Sequence, residues 1–393
     1  MKKIYIYYQN EQNFIGTVYV DFTRGKEVYS FEFSEYAFTN NLTYLIYDKE
    51  ISNTLGRQFK KDSSTPYSFL TDLAPDRWGK NLIKRNLGKE TLYFSDYLLN
   101  VSDISRMGAL RLKLDQNEPF VLNEQNIPPF KFINELEHAA YNYDDFSDDN
   151  EWRILLSPGS SLGGARPKSS IYNNNGELFL AKFGHKNDDY DVSKIEYFTY
   201  LLAKKVGITI SDSSLIEIGY NRSVFLTKRF DRNKDARIHY MSFMTLFNAS
   251  DGNSSEYSYL NIAEKIQELS SQPKIDLNAL FKRIAFYIIV HNYDDHLRNI
   301  GIVYSNDGFH LSPCFDVNVS FYNSHLTVSI NGSNDYSLNN LVNNSKYFAL
   351  DNVEGQRIVD EMKTIIKGSY LEIASKLKID KNIVSKFGKI FSE

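Results

Sequence analysis

The most constraining stretch of this 393-residue chain is a junction at residue 290. Seven consecutive apolar residues, Ile284 to Val290, give way there to His291-Asn-Tyr-Asp294-Asp295-His296-Leu-Arg298-Asn299. Leu277, Leu280, Phe281, Ile284 and Ile288 recur at helical spacing, which predicts a core helix with a polar cluster fixed at its end by packing. An apolar run of this length falls far short of the ~20 residues that span a bilayer, so no membrane role is expected. Beyond the cluster, Ile300 to Tyr304, an Asn306-Asp307-Gly308 turn and Phe309 to Leu311 predict a hairpin, and Phe315-Asp316 follows it.

Two acidic sites separated by a hairpin match the needs of phosphoryl transfer. That chemistry uses a carboxylate for the acceptor hydroxyl, an Asn and a second Asp for Mg²⁺, and a Lys on the nucleotide phosphates. Asp294 and Asn299 stand in D-x-x-x-x-N spacing, and Asp316 follows one hairpin later. Asp294 is therefore the expected base, Asn299 and Asp316 the metal ligands. Asp295 is one residue out of register, and His296 is read as a buttress of the loop. Two alternatives stand beside this: Asp, Asn and His after a helix are common turn and cap residues, and two Asp with two His suit a metal-dependent phosphohydrolase.

A second segment, Ser157-Pro-Gly-Ser-Ser161-Leu-Gly163-Gly164-Ala165-Arg166-Pro167-Lys168, has small residues that let backbone amides approach phosphates. It is not a Walker A loop, because Ala-Arg follows Gly164. A Gly/Ser stretch of this kind is more often only a loop. After it, Asn173-Asn-Asn-Gly176 predicts a turn and Leu178 to Phe183 a strand carrying Lys182, the place of a phosphate-binding lysine or, equally, of a lysine on a strand edge. Ser193-Lys-Ile-Glu196 reads as a capping box that opens a helix ending near Gly207, which gives Glu196 a local role in place of a pairing with Lys182. Phe225-Leu-Thr-Lys228-Arg229-Phe230-Asp231-Arg232 fits either a hinge between lobes or the end of a buried strand.

The amino-terminal part has its own pattern. Ile4 to Tyr8, Phe14 to Phe22 and Glu27 to Phe33 read as strands of a small antiparallel sheet. Asp72-Leu-Ala-Pro75 with Trp78, Leu82, Ile83 and Gly88 reads as a helix with Pro in its first turn. Low apolar periodicity and several aspartates near Asn142 to Asn150 place a boundary at residue 145. The expected division is 1–145, then 146–393, the latter split into 146–230 and a mostly helical 231–393. With 28 Tyr and 27 Phe, the chain has ample apolar surface for such cores.

A formal net charge of −4 argues against broad binding to nucleic-acid backbone, so any DNA contact is expected to be indirect. Cys314 is the only cysteine, which excludes an intrachain disulfide and suits a reducing cytoplasm. The opening residues alternate as a strand does and lack the apolar core of a signal peptide.

Together, Ser161-Leu-Gly-Gly-Ala-Arg-Pro-Lys168, Lys182, Arg229-Phe-Asp-Arg232, Asn292-Tyr-Asp-Asp-His-Leu-Arg-Asn299 and Cys314-Phe-Asp316 resemble, in order, the motifs of HipA-type kinases. Leu73-Ala-Pro-Asp-Arg-Trp-Gly79 and Asp103-Ile-Ser-Arg-Met-Gly-Ala-Leu110 resemble the HipA amino-terminal region, so the likeness covers roughly residues 1–330. The resemblance implies an α+β, two-lobed protein-kinase-like core with an amino-terminal antiparallel β plus helical subdomain and a mostly helical C-lobe. It implies ATP and Mg²⁺ as cofactors and protein Ser/Thr phosphorylation as the reaction, with an aminoacyl-tRNA synthetase as the kind of target and growth arrest as the outcome. It also implies a small helix-turn-helix antitoxin as partner, through which DNA is reached. By the same resemblance Asp294 is the base, Asn299 and Asp316 ligate Mg²⁺, and Ser161 is autophosphorylated. ATP contacts are then expected from Ser161, Gly163, Gly164, Ala165, Lys168, Lys182, Lys228, Phe230, His296, Asn299 and Asp316. His239-Tyr-Met-Ser-Phe-Met244 departs from the acidic or Gln residues with which relatives hold the ribose. The competing reading is a non-catalytic nucleotide-binding regulator that corepresses an operon with its antitoxin.

Overall fold

In the computed structural model, residues 1–123, 127–145, 150–156, 166–219, 222–234, 236–250, 252–321 and 325–392 are described. The chain forms two compact units, Met1–Asn187 with Asp231–Ala249, and Asp188–Phe230 with Ser250–Glu393. The expected boundary at residue 145 lies inside the first of these.

The first unit begins as the alternation predicts. Strands β1 (Lys2–Tyr8), β2 (Phe14–Thr23), β3 (Lys26–Phe33), β4 (Gln58–Phe59) and β5 (Leu110–Lys113) make an antiparallel sheet in the order β4-β3-β2-β1-β5. Ile4 faces Val18 and Val18 faces Phe31, all three fully buried. Burial of each contributes about 2 kcal/mol, so this row is a main source of the unit's stability. Gly16 is required by packing, since a Cβ there would lie 2.3 Å from the Glu32 carbonyl oxygen.

The Asp103 to Leu110 motif is a buried charge cluster. Asp103 accepts from Arg111 Nε at 3.1 Å and from Arg237 Nη2 at 2.6 Å. Arg106, fully buried, donates to the carbonyls of Leu73, Leu98 and Val101. Asp231 accepts from the Gly108 amide at 2.7 Å, and Arg232 donates to the Ile104 and Arg106 carbonyls. Gly108 has φ +73°, and a Cβ would meet the Tyr240 amide at 3.2 Å, so only glycine fits comfortably. Residues 231–240 thus complete a core begun more than a hundred residues earlier.

The helix Arg77–Leu87 differs slightly from expectation. Its cap is Asp76, which accepts from Gly79 N at 2.7 Å, so Pro75 precedes the cap and is not in the first turn; Gly88 ends the helix at φ +59°. The hairpin of β6 (Lys168–Tyr172) and β7 (Leu178–Phe183) turns through Gly176 at φ +76°, as predicted.

The second unit holds helix Val192–Lys205, the hairpin of β8 (Ser213–Gly219) and β9 (Arg222–Lys228), and, among the described residues, four further helices of ten residues or more. The capping box expected at Ser193 is absent. Asp191 is the cap, accepting from Lys194 N at 3.0 Å, because an Asp two residues upstream competes for the same role and wins. Gly207 closes the helix at φ +76°. Phe198 stacks on Phe387 with ring centroids 4.3 Å apart, joining this helix to Lys381–Ile390. Beyond Arg232 helices dominate, interrupted by the predicted hairpin Gly301–Ser305/Gly308–Leu311. Among the described residues no helix is long and apolar enough to cross a membrane.

Mild acid will strain the first unit. Burial pushes the His239 imidazole down to about 4 from 6.5. The unfolded chain therefore binds a proton before the folded one does, and stability present above pH 6.5 is lost as pH falls toward 4. Asp103 acts in the same direction: burial would raise its carboxyl, but Arg237 and Arg111 hold it below the usual range. Urea unfolding read by hydrogen exchange in residues 1–113 will show a loss on the order of 3 kcal/mol across this window, and a clearly smaller one in His239→Phe.

Candidate active site

The predicted core helix spans Pro273–Ile289 and buries Leu277, Leu280, Phe281 and Ile284. It stops at a left-handed residue: His291 has φ +54°, its amide donates to the Ile288 carbonyl at 3.2 Å, and the Asn292 amide donates to Tyr287 at 2.8 Å. This is the Schellman arrangement, with histidine where glycine is usual. The polar cluster therefore starts at a fixed point on a buried scaffold.

Within it, neighbouring acids face opposite ways. The Asp294 side chain is 75% exposed, whereas Asp295 is 3% exposed. His296 Nε2 lies 3.5 Å from Asp294 Oδ1. Asn299 is buried, its amide nitrogen donating to the Asp294 carbonyl at 3.0 Å. That bond commits the nitrogen and leaves the Asn299 oxygen as the atom suited to a cation. His296 sits within the same turn, its carbonyl accepting from Asn299 N at 2.8 Å.

Asp316 has φ +56°, a left-handed conformation in which Asp is one of the few residues at ease. The approach to it is anchored: Cys314 N donates to the Thr209 carbonyl at 2.7 Å, and buried Cys314 Sγ lies 3.1 Å from the Tyr287 hydroxyl. Phe315 packs on Phe230 with centroids 5.2 Å apart. Phe230 thus supports the segment entering Asp316. Lys228 uses its backbone amide on the Asp212 carbonyl at 2.8 Å, so that donor is already engaged.

In the first unit, Lys182 is 8% exposed on β7 and pairs in register with Lys168 on β6. Lys168 is buried too, with its ammonium 3.3 Å from Asp76, the cap of helix Arg77–Leu87. Trp78 Nε1 donates to the Lys168 carbonyl at 3.1 Å. The Asp76-Arg-Trp-Gly run therefore fixes the strand that follows the Gly/Ser loop, a role that sequence reading did not give it. Glu196, relieved of the cap, is a buried acid in its helix. Ser161, Gly163, Gly164 and Ala165 lie outside the described residues.

An amide oxygen from Asn299 and a carboxylate from Asp316 are hard donors that fit Mg²⁺, which keeps several water or phosphate oxygens in its shell. Among the described residues no group of three or more His, Cys, Asp or Glu is placed to hold a metal ion.

Residues 160–369 match the HipA-like C-terminal domain, and the chain belongs to this family. Its fold is that of the HipA toxin in the Shewanella oneidensis MR-1 complex of HipA, HipB and operator DNA. That match has a TM-score of 0.73 at 16% identity, covering 99% of this chain and 95% of that one. The α+β, two-lobed kinase-like class expected from sequence is thereby met. "Putative kinase Y4mE" of Sinorhizobium fredii is 25% identical over 178 residues, 40% of this chain. A Haemophilus influenzae protein described in the same terms is 28% identical over 141 residues, 32% of this chain. The chain spans 41% of the length of each of these two curated relatives.

Asp295 carries a testable electrostatic signature. Burial raises its carboxyl to about 6 from 3.8, against the lowering effect of hydrogen bonds from Tyr259 and Thr327. The folded state binds the proton first, so stability present below pH 3.8 is lost as pH rises through about 6. Asp295→Asn cannot ionise, and its unfolding free energy relative to wild type will rise by on the order of 2–3 kcal/mol between pH 4 and 7, measured by urea denaturation.

Proposed function

We propose that this protein is an ATP- and Mg²⁺-dependent protein serine/threonine kinase of the HipA type that arrests growth by phosphorylating a protein target. The observation that carries the reading is the catalytic segment itself. Asp294 is offered to solvent, Asn299 is tied to the Asp294 carbonyl with its oxygen left to ligate, and Asp316 is set in a left-handed turn one hairpin later. One bond, from the Asn299 side chain to the Asp294 backbone carbonyl, closes the turn from which the exposed Asp294 carboxylate projects.

When bound, MgATP supplies the phosphoryl group. Asp294 orients the acceptor hydroxyl and takes its proton at a carboxylate oxygen as transfer proceeds. Asn299 Oδ1 and an Asp316 oxygen would hold the metal. Lys182 is the proposed phosphate lysine, supported by its burial on β7, the second strand of the β6–β7 hairpin. Lys168, engaged with Asp76, is better read as holding the base of the Gly/Ser loop than as touching nucleotide directly.

The structural neighbour was determined with HipB and operator DNA, which supports a small helix-turn-helix antitoxin as partner here, with DNA reached through it. An aminoacyl-tRNA synthetase is the proposed kind of target, and a reducing cytoplasm the setting.

Asp294→Asn will abolish transfer of labelled phosphate to protein hydroxyls, with a rate loss of at least about a hundredfold and an unchanged circular dichroism spectrum. Asp316→Asn will also weaken MgATP binding in calorimetric titration, since it removes a hard anionic ligand. Undiminished transfer by folded Asp294→Asn would refute the assignment. Ser161 is the proposed autophosphorylation site. Its phosphate would repel ATP phosphates and compete for the nearby basic groups. Mass spectrometry after MgATP incubation will find that phosphate in wild type and not in Asp294→Asn, with lower ATP affinity in the modified form.

A further inference from the structure

Asp295, set aside in the sequence as out of register, is tethered at both of its carboxylate oxygens. Its Oδ2 accepts from the Tyr259 hydroxyl at 2.6 Å and its Oδ1 from the Thr327 amide at 2.6 Å. Both residues belong to other parts of the second unit. Tyr259 is fully buried in the first turn of helix Tyr259–Leu269, and its amide donates to the Ser329 carbonyl at 2.8 Å. Thr327 also donates its hydroxyl to the Tyr293 carbonyl at 2.7 Å. Two more bonds run the same way: Ser320 N to the His291 carbonyl at 2.9 Å, and Asn318 N to Asn292 Oδ1 at 2.9 Å.

These bonds lace three segments together: the start of helix Tyr259–Leu269, the catalytic segment, and the chain after Asp316. None of them uses the side chains of Asp294, Asn299 or Asp316. We propose that Asp295 and Tyr259 are a positioning pair, which fixes the backbone from which Asp294 projects and holds it in register with the chain that follows the metal-binding aspartate. The proposal rests on the kinase reading and adds to it a control on catalytic geometry.

The physical reason is the alternation of direction between the two acids. With the Asp295 carboxylate held at both oxygens, the peptide between it and Asp294 has little freedom to rotate, and the Asp294 side chain leaves the surface in one direction. A buried carboxylate is also a poor device for stability alone, because desolvation opposes its charge. An apolar residue would fill the same space at lower cost but could not accept from the Thr327 amide and the Tyr259 hydroxyl together.

Positioning is separable from folding by kinetics. Tyr259→Phe removes one donor and little volume; kcat will fall about tenfold with KM for ATP within about twofold of wild type. Asp295→Ala will fall further, about a hundredfold, while Asp295→Asn, whose amide can accept from Thr327 and donate to Tyr259, will recover to within about threefold of wild type. Hydrogen exchange at residues 325–330 will be faster in Tyr259→Phe than in wild type, a readout that needs no activity. Wild-type kcat in both Tyr259→Phe and Asp295→Ala, or unchanged exchange at 325–330 in Tyr259→Phe, would overturn the pair. If wild type transfers no phosphate, the kinase reading fails, and the exchange measurement alone then decides whether the tether exists.

Discussion

A chain segment proposed to present a base and a metal ligand has to be held by atoms other than those it presents. The nine residues from His291 to Asn299 meet this constraint by dividing their polar groups. Asn292 and Asp295 turn inward and accept backbone amides of the chain beyond Asp316. Asp294 turns outward. The Schellman end of the core helix sets where this division begins, and the bond between Asn299 and the Asp294 carbonyl sets where it ends. The start of helix Tyr259–Leu269, Asn318 and Thr327 are the partners that these inward-facing groups require, since buried polar atoms left unpaired are costly.

The amino-terminal unit answers the same demand with charge. Asp103 lies among Arg106, Arg111 and Arg237, and Asp231 lies against Gly108 and Arg232. Such pairs hold strongly because removing either member strands the other in low dielectric. Asp103 and the buried His239 also make this unit sensitive to acid, whereas Asp295 gives the other unit a contribution of opposite sign. A single pH titration of the whole protein would therefore average two local behaviours that differ in direction.

Much of this was legible in the sequence where one periodicity dominates. Strands β1 to β3 alternate cleanly, and the helix before His291 keeps an apolar face for four turns. The spacing from Asp294 to Asn299 and on to Asp316 is local enough to be read directly, and the role proposed for it rests on that spacing. What stayed hidden depends on distant partners. Lys168 meets Asp76 and Trp78 about ninety residues away, and no local pattern announces an ion pair of that span. Asp191 and Ser193 are both good caps, so sequence chose the wrong one and gave Glu196 a task it does not have. Asp294 and Asp295 are chemically identical, and only burial tells which faces solvent.

The first unit is discontinuous in the chain, since Asp231–Ala249 returns to it after an excursion through Asp188–Phe230. Polypeptides leave the ribosome amino end first and fold domain by domain as they emerge. Here that order cannot be followed to completion. When Asn187 emerges, Asp103 still lacks Arg237 and the Gly108 amide still lacks Asp231. The nascent unit must wait for some fifty further residues to be synthesised, about 2.5–10 s at ordinary elongation rates, before its charge cluster can close. Throughout that interval its sheet can form but Asp103 has only Arg106 and Arg111 beside it and the Gly108 amide lacks its acceptor, an incomplete intermediate of the kind on which chaperones and proteases act.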